Sequence, residues 1–202
     1  MSTSIYRQST SIRQQQIIEA TKNIITTKGM ESVTIDAIAD EVGLTEGAIY
    51  RHFANKHQIL TLMIDDIERG LFQTLRDSRM EGSSAVGNME HILYAHLSDV
   101  ENHNAASFIV ITEAMAFDGI GMSSRVSLML SRYLEFLTGV LKDGITDGTV
   151  RDDLDVEAAA TSFLGIIQST ATLWALNGHV TPLAEKRTQM WDMYKRGIVP
   201  AK

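Results

Sequence analysis

The sequence predicts an all-α chain of about nine helices, with an N-terminal three-helix helix-turn-helix unit followed by a larger helical region. Three observations predict it. Apolar residues recur at helical spacing along most of the chain, and no segment shows the strict alternation of a half-buried strand. Breakers are few, with 2 Pro and 14 Gly in 202 residues. Two threonines suited to N-capping, Thr34 and Thr45, flank a glycine turn at Gly43.

The first helix covers residues 12–25, where Ile12, Ile17, Ala20, Ile24 and Ile25 recur among polar residues, and Gly29 ends it. A short second helix opens on Thr34, places Asp36 in its first turn where the helix dipole favours an anion, and stops at Gly43. Its buried face is Ile35, Ile38, Ala39 and Val42. Only Leu44 separates Gly43 from Thr45, and residues 46–53 form a third helix with Ile49 and Phe53 one turn apart. Asn55 and Gln58 resemble a capping box, from which Ile59, Leu62, Met63, Ile67, Leu71, Phe72 and Leu75 carry a long fourth helix towards Arg79. Glycine, serine and aspartate make loops of 80–88, 119–124 and 144–155. Between them, helices are expected over 89–101, 105–117, 125–142, 156–177 and 182–198. The last is opened by Thr181 as N-cap and Pro182 at the first helical position. The polar leader, some ten to sixteen residues long, is expected to fray.

Composition narrows the function. With no cysteine, a disulfide framework, a thiolate metal site and a cysteine nucleophile are all excluded. His91, His96 and His103 are spaced by five and seven, not as a compact helical ligand pair, so neither metal nor cofactor is expected. The first residues lack the apolar run of a secretory signal, which favours the cytoplasm. The uncharged stretch 158–184 is long enough to span a bilayer, but Gln168, Asn177, Gly178, His179, Pro182 and six Ser or Thr make it a buried helix, and no membrane partner is expected. There is no nucleophile elbow and no phosphate-binding glycine loop, so an enzyme is not expected.

Two short helices about a tight glycine turn match the motif whose second helix enters the major groove of DNA. The residues Thr34, Ile38, Ala39, Val42, Gly43, Leu44, Thr45, Gly47, Ile49, Tyr50, His52, Phe53, Lys56 and Leu60 resemble the N-terminal signature of TetR-type transcriptional regulators. Ala39 is small where the two motif helices approach, and Gly47 accepts roughly 1 kcal/mol of helix propensity while leaving backbone open to DNA. The resemblance implies phosphate contacts at Tyr50, His52 and Lys56, with helix N-termini at Thr34 and ahead of Lys56 adding N–H groups. It places base readout on Thr45, Glu46, Gly47, Ala48 and Arg51, with Arg51 suited to guanine O6 and N7. The rival roles are half-buried packing for Tyr50 and a phosphate contact for Arg51. Charge opposes a broad nucleic-acid surface: residues 1–57 carry six basic and six acidic side chains, and the whole chain has net charge −7. DNA binding must therefore be local, through one face of an otherwise acidic protein.

Residues 1–55 are accordingly expected to form the DNA-binding domain, and residues 56–202 a ligand-binding and dimerisation domain. Helix eight is apolar or small nearly all round, with Val156, Ala160, Phe163, Ile167 and Trp174 on one side and Ala158, Gly165, Ile166, Ser169, Leu173 and Leu176 elsewhere. Such a helix is expected to be buried on both sides. With helix nine, which carries Leu183, Met190, Met193 and Tyr194, it resembles the family's four-helix homodimer interface. A two-fold dimer suits a pseudo-palindromic operator. The resemblance also implies a small-molecule effector, and Phe72, His96, Phe108, Ile111, Thr112, Met115, Tyr133, Phe136, Phe163, Gln168 and Trp174 could line a largely apolar pocket, although core packing explains each of them singly. The function expected is a ligand-responsive repressor that binds double-stranded operator DNA and is released by the effector. The alternatives are an activator without small-molecule control and a helical adaptor that binds proteins.

Overall fold

The computed structural model describes residues 10–80, 82–116 and 121–201. They form α1 (Thr10–Lys28), α2 (Ile35–Val42), α3 (Glu46–Ile49), α4 (Lys56–Asp77), α5 (Ala85–Asn102), α6 (Ala106–Ala116), α7 (Met122–Thr146), α8 (Val156–Leu176) and α9 (Arg187–Ile198). Two 3-10 turns stand at Met30–Ser32 and Leu183–Glu185, and among the described residues there is no strand. Phe117 and the first two residues of the loop expected over 119–124 lie outside the described residues, as do the first nine residues of the leader.

The chain divides into two units. The first comprises the described residues of Met1–Ile67 and Ile109–Ser123, the second those of Glu68–Phe108 and Ser124–Lys202. Helix α4 begins in the first and ends in the second.

In the first unit the apolar positions of α1 to α4 converge on one core that buries Ile17, Ile24, Ile25, Val33, Ile38, Ile49, Phe53, Ile59, Leu60 and Met63. Burying such side chains is worth about 1.5–3 kcal/mol each, the main force holding helices as short as α2 and α3 in place. Lys22 on α1 clamps α4: its ammonium donates to Asp66 at 2.7 Å and to Glu19 at 2.9 Å. Burial acts to lower its pKa, and the two carboxylates outweigh burial and hold it above the ordinary lysine value.

The second unit buries Tyr133, Leu137 and Leu141 of α7 against Met89, Leu93 and Leu97 of α5, Phe163 and Ile167 of α8, and Trp191 and Tyr194 of α9. Tyr194 donates to the Ala159 carbonyl at 3.1 Å, giving that buried hydroxyl a partner. Helix α8 buries Ala160, Phe163, Ile167 and Trp174 here, while Gly165, Ser169, Leu173 and Leu176 on its other side are exposed in the single chain. The face of α8 expected to close the subunit core is thus buried, and the face expected to meet a partner subunit is the one left open. Among the described residues it is also the one helix long and apolar enough to cross a membrane.

Helix boundaries depart from expectation where local chemistry was misread. Ser84 accepts from Gly87 N–H at 3.1 Å and starts α5 inside the segment expected to be a loop. Helix α7 is longer at both ends than 125–142. Its Gly144 is no breaker: a Cβ there would meet Ala85 Cβ at 2.8 Å and a Val150 methyl at 2.5 Å. On α7, Gly144→Ala is expected to destabilise by about 1–2 kcal/mol because overpacking exceeds the helix-propensity gain. Gly139→Ala, whose Cβ meets nothing within 4 Å, should instead stabilise by roughly 1 kcal/mol. Urea midpoints of the two variants check the opposite signs.

Candidate nucleic-acid interface

The helix-turn-helix is assembled by three local devices. Thr34 Oγ1 accepts from Ala37 N–H at 3.0 Å and Thr45 Oγ1 from Ala48 N–H at 3.3 Å, so both threonines cap the helices they precede. Between them Gly43 takes the left-handed conformation, φ 69° and ψ 40°. Leu44 N–H then reaches the Ala39 carbonyl at 2.8 Å and Gly43 N–H the Asp40 carbonyl at 3.1 Å, the bond pair that closes a helix on a left-handed glycine. A side chain at position 43 would strain that turn and disturb the angle between α2 and α3.

Regular α3 ends at Ile49, four residues before the predicted end. The backbone continues as a hydrogen-bonded turn, in which His52 N–H and Phe53 N–H both reach the Ile49 carbonyl, at 2.9 and 3.1 Å. Ile49 and Phe53 are buried and fix this segment to the core. Its other face is open: Thr45, Glu46, Gly47, Tyr50 and Arg51 are exposed and Ala48 is half-buried. A Cβ at Gly47 would meet nothing within 4 Å, so internal crowding does not explain the glycine.

Around this face the remaining residues vary in access. Thr34 is exposed, and Tyr50 at 53 % exposure is not packed into the core. His52 is half-buried, with Nδ1 buried and unpartnered among the described residues. Lys56, the first residue of α4, is half-buried, and burial lowers its ammonium below the usual lysine value. The capping at α4 is shifted from the expected box: Asn55 Oδ1 accepts from Gln58 N–H at 2.9 Å, but Gln58 Oε1 accepts from Ala54 N–H at 2.6 Å.

Several positioning residues escaped the sequence reading. Gln14 on α1 donates to the His52 carbonyl at 3.3 Å and tethers the turn after α3. Met30 N–H donates to Glu113 of α6 at 3.3 Å within the first unit. These pairs are 38 and 83 residues apart, and no periodicity or capping rule links them.

The residues expected to line a pocket are divided between the two units. His96, Tyr133, Phe163 and Trp174 are buried in the second unit, with Phe72, Phe108 and Phe136 half-buried against the same core. His96 and Tyr133 meet edge to face with ring centroids 5.5 Å apart. Phe72 and Phe136 also border an open groove of 380 Å³ with Arg79, Arg132, Glu135 and Asp143, where Arg132 lies over the Phe72 ring and pairs with Glu68 at 2.6 Å. Trp174 donates to the Thr181 carbonyl at 2.8 Å, and Gln168 is half-buried on α8. In the first unit Ile111 is buried, while Thr112 and Met115 are exposed.

Two capped short helices about a left-handed glycine, the second open to solvent along one face, define a helix-turn-helix DNA-binding protein. Comparison with known proteins takes this further. Residues 17–63 match the family model of bacterial regulatory proteins of the tetR family, and residues 65–197 that of the YsiA-like protein C-terminal region. The chain is 26% identical over 184 residues to the fatty acid metabolism regulator protein of Bacillus subtilis, covering 91% of this chain and 94% of that one. It is 27% identical over 149 residues to the HTH-type transcriptional repressor KstR2 of Mycobacterium tuberculosis H37Rv, covering 72% of each. Among solved structures, it resembles the regulator FadR of Bacillus subtilis in complex with stearoyl-CoA, with TM-score 0.79, 24% identity, and coverage of 91% of this chain and 98% of that one. The chain belongs to the TetR family, and it is a DNA-binding transcriptional regulator. The all-helical fold and the regulator function read from the sequence both agree with these relatives.

Proposed function

We propose that the chain represses transcription as a homodimer on a pseudo-palindromic operator and leaves the DNA when a largely apolar, carbonyl-bearing molecule occupies its helical remainder. The observation that carries the DNA half is the open face of α3 and its following turn: Ile49 and Phe53 are buried while Thr45, Glu46, Gly47, Tyr50 and Arg51 are exposed. In this reading residues 1–55 are the DNA-binding domain and 56–202 the ligand-binding and dimerisation domain. Thr45, Glu46, Gly47, Ala48 and Arg51 face the base edges, and Thr34, Tyr50, His52 and Lys56 hold phosphates. The dimer forms through α8 and α9, whose exposed Leu173, Leu176 and Met193 need cover. The reading assigns the chain no catalytic role and, because its partner is operator DNA, a cytoplasmic location.

For the effector, a fatty acid metabolism regulator and a regulator named for ketosteroids point to one chemistry, an apolar body bearing a carbonyl. Buried aromatic residues of the second unit, Phe163 and Trp174 among them, suit such a body. By linkage, operator DNA must weaken effector binding by the factor with which effector weakens DNA binding.

Selection of random duplex DNA by the purified protein tests this reading. A two-fold symmetric site should be enriched, and Arg51→Ala should relax one position in each half-site, about 1–3 kcal/mol of lost discrimination. Enrichment of no sequence would favour the adaptor reading instead.

A further inference from the structure

Besides Nδ1 of the half-buried His91, two buried polar atoms of the second unit lack hydrogen-bond partners among the described residues, the Tyr133 hydroxyl and His96 Nε2. They belong to neighbouring residues. The rings meet edge to face at 5.5 Å, Tyr133 is 1 % exposed and His96 4 %. Native cores leave few polar groups unpaired, because each such group has given up its water and received nothing in return. Tyr194, in the same core cluster as Tyr133, shows the usual solution by donating to the Ala159 carbonyl. Two orphans side by side on α5 and α7 therefore call for a third group that can bond both.

Resting on the effector reading above, we propose that His96 and Tyr133 are the polar anchor of the effector site, where one neutral carbonyl oxygen of the ligand accepts from the Tyr133 hydroxyl and from His96 Nε2–H. A carbonyl oxygen has two lone pairs, and two donors use both. The site selects a neutral carbonyl over a free carboxylate. Burial pushes the His96 pKa down to about 4, so the imidazole is uncharged at neutral pH, and Tyr133 is held protonated by burial first and Tyr194 second. A carboxylate there would be a buried charge without a counter-charge, whereas a thioester or ketone oxygen brings none. The surrounding Leu93, Leu97, Leu137 and Phe163 supply the apolar environment for the rest of the ligand.

The test compares stearoyl-CoA with S-octadecyl-CoA, a thioether with the same chain and nucleotide but no carbonyl, and with stearate, using full-length protein and direct titration. Wild type should bind the thioester about tenfold more tightly than the thioether, the size of one or two neutral hydrogen bonds. Stearate should bind no better than the thioether. Tyr133→Phe and His96→Leu should each remove most of the thioester preference, read as the ratio of thioester to thioether affinity within each variant. A second readout needs no ligand: Tyr133→Phe should melt at or above wild type, since the hydroxyl it removes is unpaired. A lowered Tm would mean that the hydroxyl has a structural partner, and would overturn the proposal. So would equal wild-type affinity for thioester and thioether, as expected if a buried water already joins the two groups, or a thioester preference that survives both substitutions. If wild type binds none of the three probes, the acyl effector reading itself fails, an outcome distinct from binding without discrimination.

Discussion

Leu173→Glu combined with Leu176→Glu is expected to sediment as a monomer near 22.4 kDa, and the unaltered chain is expected at about twice that mass at micromolar concentration. Leu173 is 59 % exposed and Leu176 77 % exposed, and with Gly165 and Ser169 they form one face of α8, on the side away from Phe163, Ile167 and Trp174. In the proposed dimer a two-fold interface brings this face against its own copy, so each substitution acts twice. Losing four buried leucines removes roughly 6–12 kcal/mol at about 1.5–3 kcal/mol each, and four glutamates in their place add the cost of unpaired buried charge. No micromolar dimer survives that loss. Because the altered side chains point away from the subunit core, the helical circular dichroism should stay unchanged. Operator affinity should collapse with the dimer, since one recognition helix holds only a half-site. A variant that still sediments as a dimer would place the interface elsewhere.

What could be read from the sequence follows from the range of the interactions involved. Thr34, Gly43 and Thr45 were legible because each capping device closes within five residues and depends on residue type alone. The same local reasoning failed at the start of α9. Thr181 and Pro182 look like a cap and a first helical residue, yet Pro182 is extended, at φ −56° and ψ 129°. The Thr181 carbonyl is taken by the Trp174 indole and Leu183 is buried, so tertiary contacts hold this segment out of the helix until Arg187. Gly144 misled in the same way, because the reason for a glycine there is a neighbour on another helix. At the interface, the open residues of α3 could be named in advance. The residues that position them could not, since Gln14 with His52, Lys22 with Asp66 and Met30 with Glu113 pair across 38, 44 and 83 positions.

Acid should destabilise the folded chain through His96 by about 3 kcal/mol between pH 6.5 and pH 4. Burial is the cause that lowers the folded-state pKa from 6.5 to about 4, so no salt dependence of a nearby ion pair enters. Unfolded chain takes up the proton as pH falls through 6.5, while folded chain refuses it until about 4. Across that window the unfolded state binds more protons, so stability is full above pH 6.5 and is lost steadily below it. At about 1.36 kcal/mol per pH unit, two and a half units give the stated magnitude. Carboxylates contribute their own acid losses, Asp147 among them, since its side-chain and backbone hydrogen bonds to Thr149 hold its pKa low. The His96 share is therefore the difference between wild type and His96→Leu. Measured every half pH unit, the wild-type urea midpoint should fall relative to that of His96→Leu as pH falls from 6.5 to 4, because only wild type has this proton to gain on unfolding. Parallel curves would show that His96 takes up its proton without leaving the core.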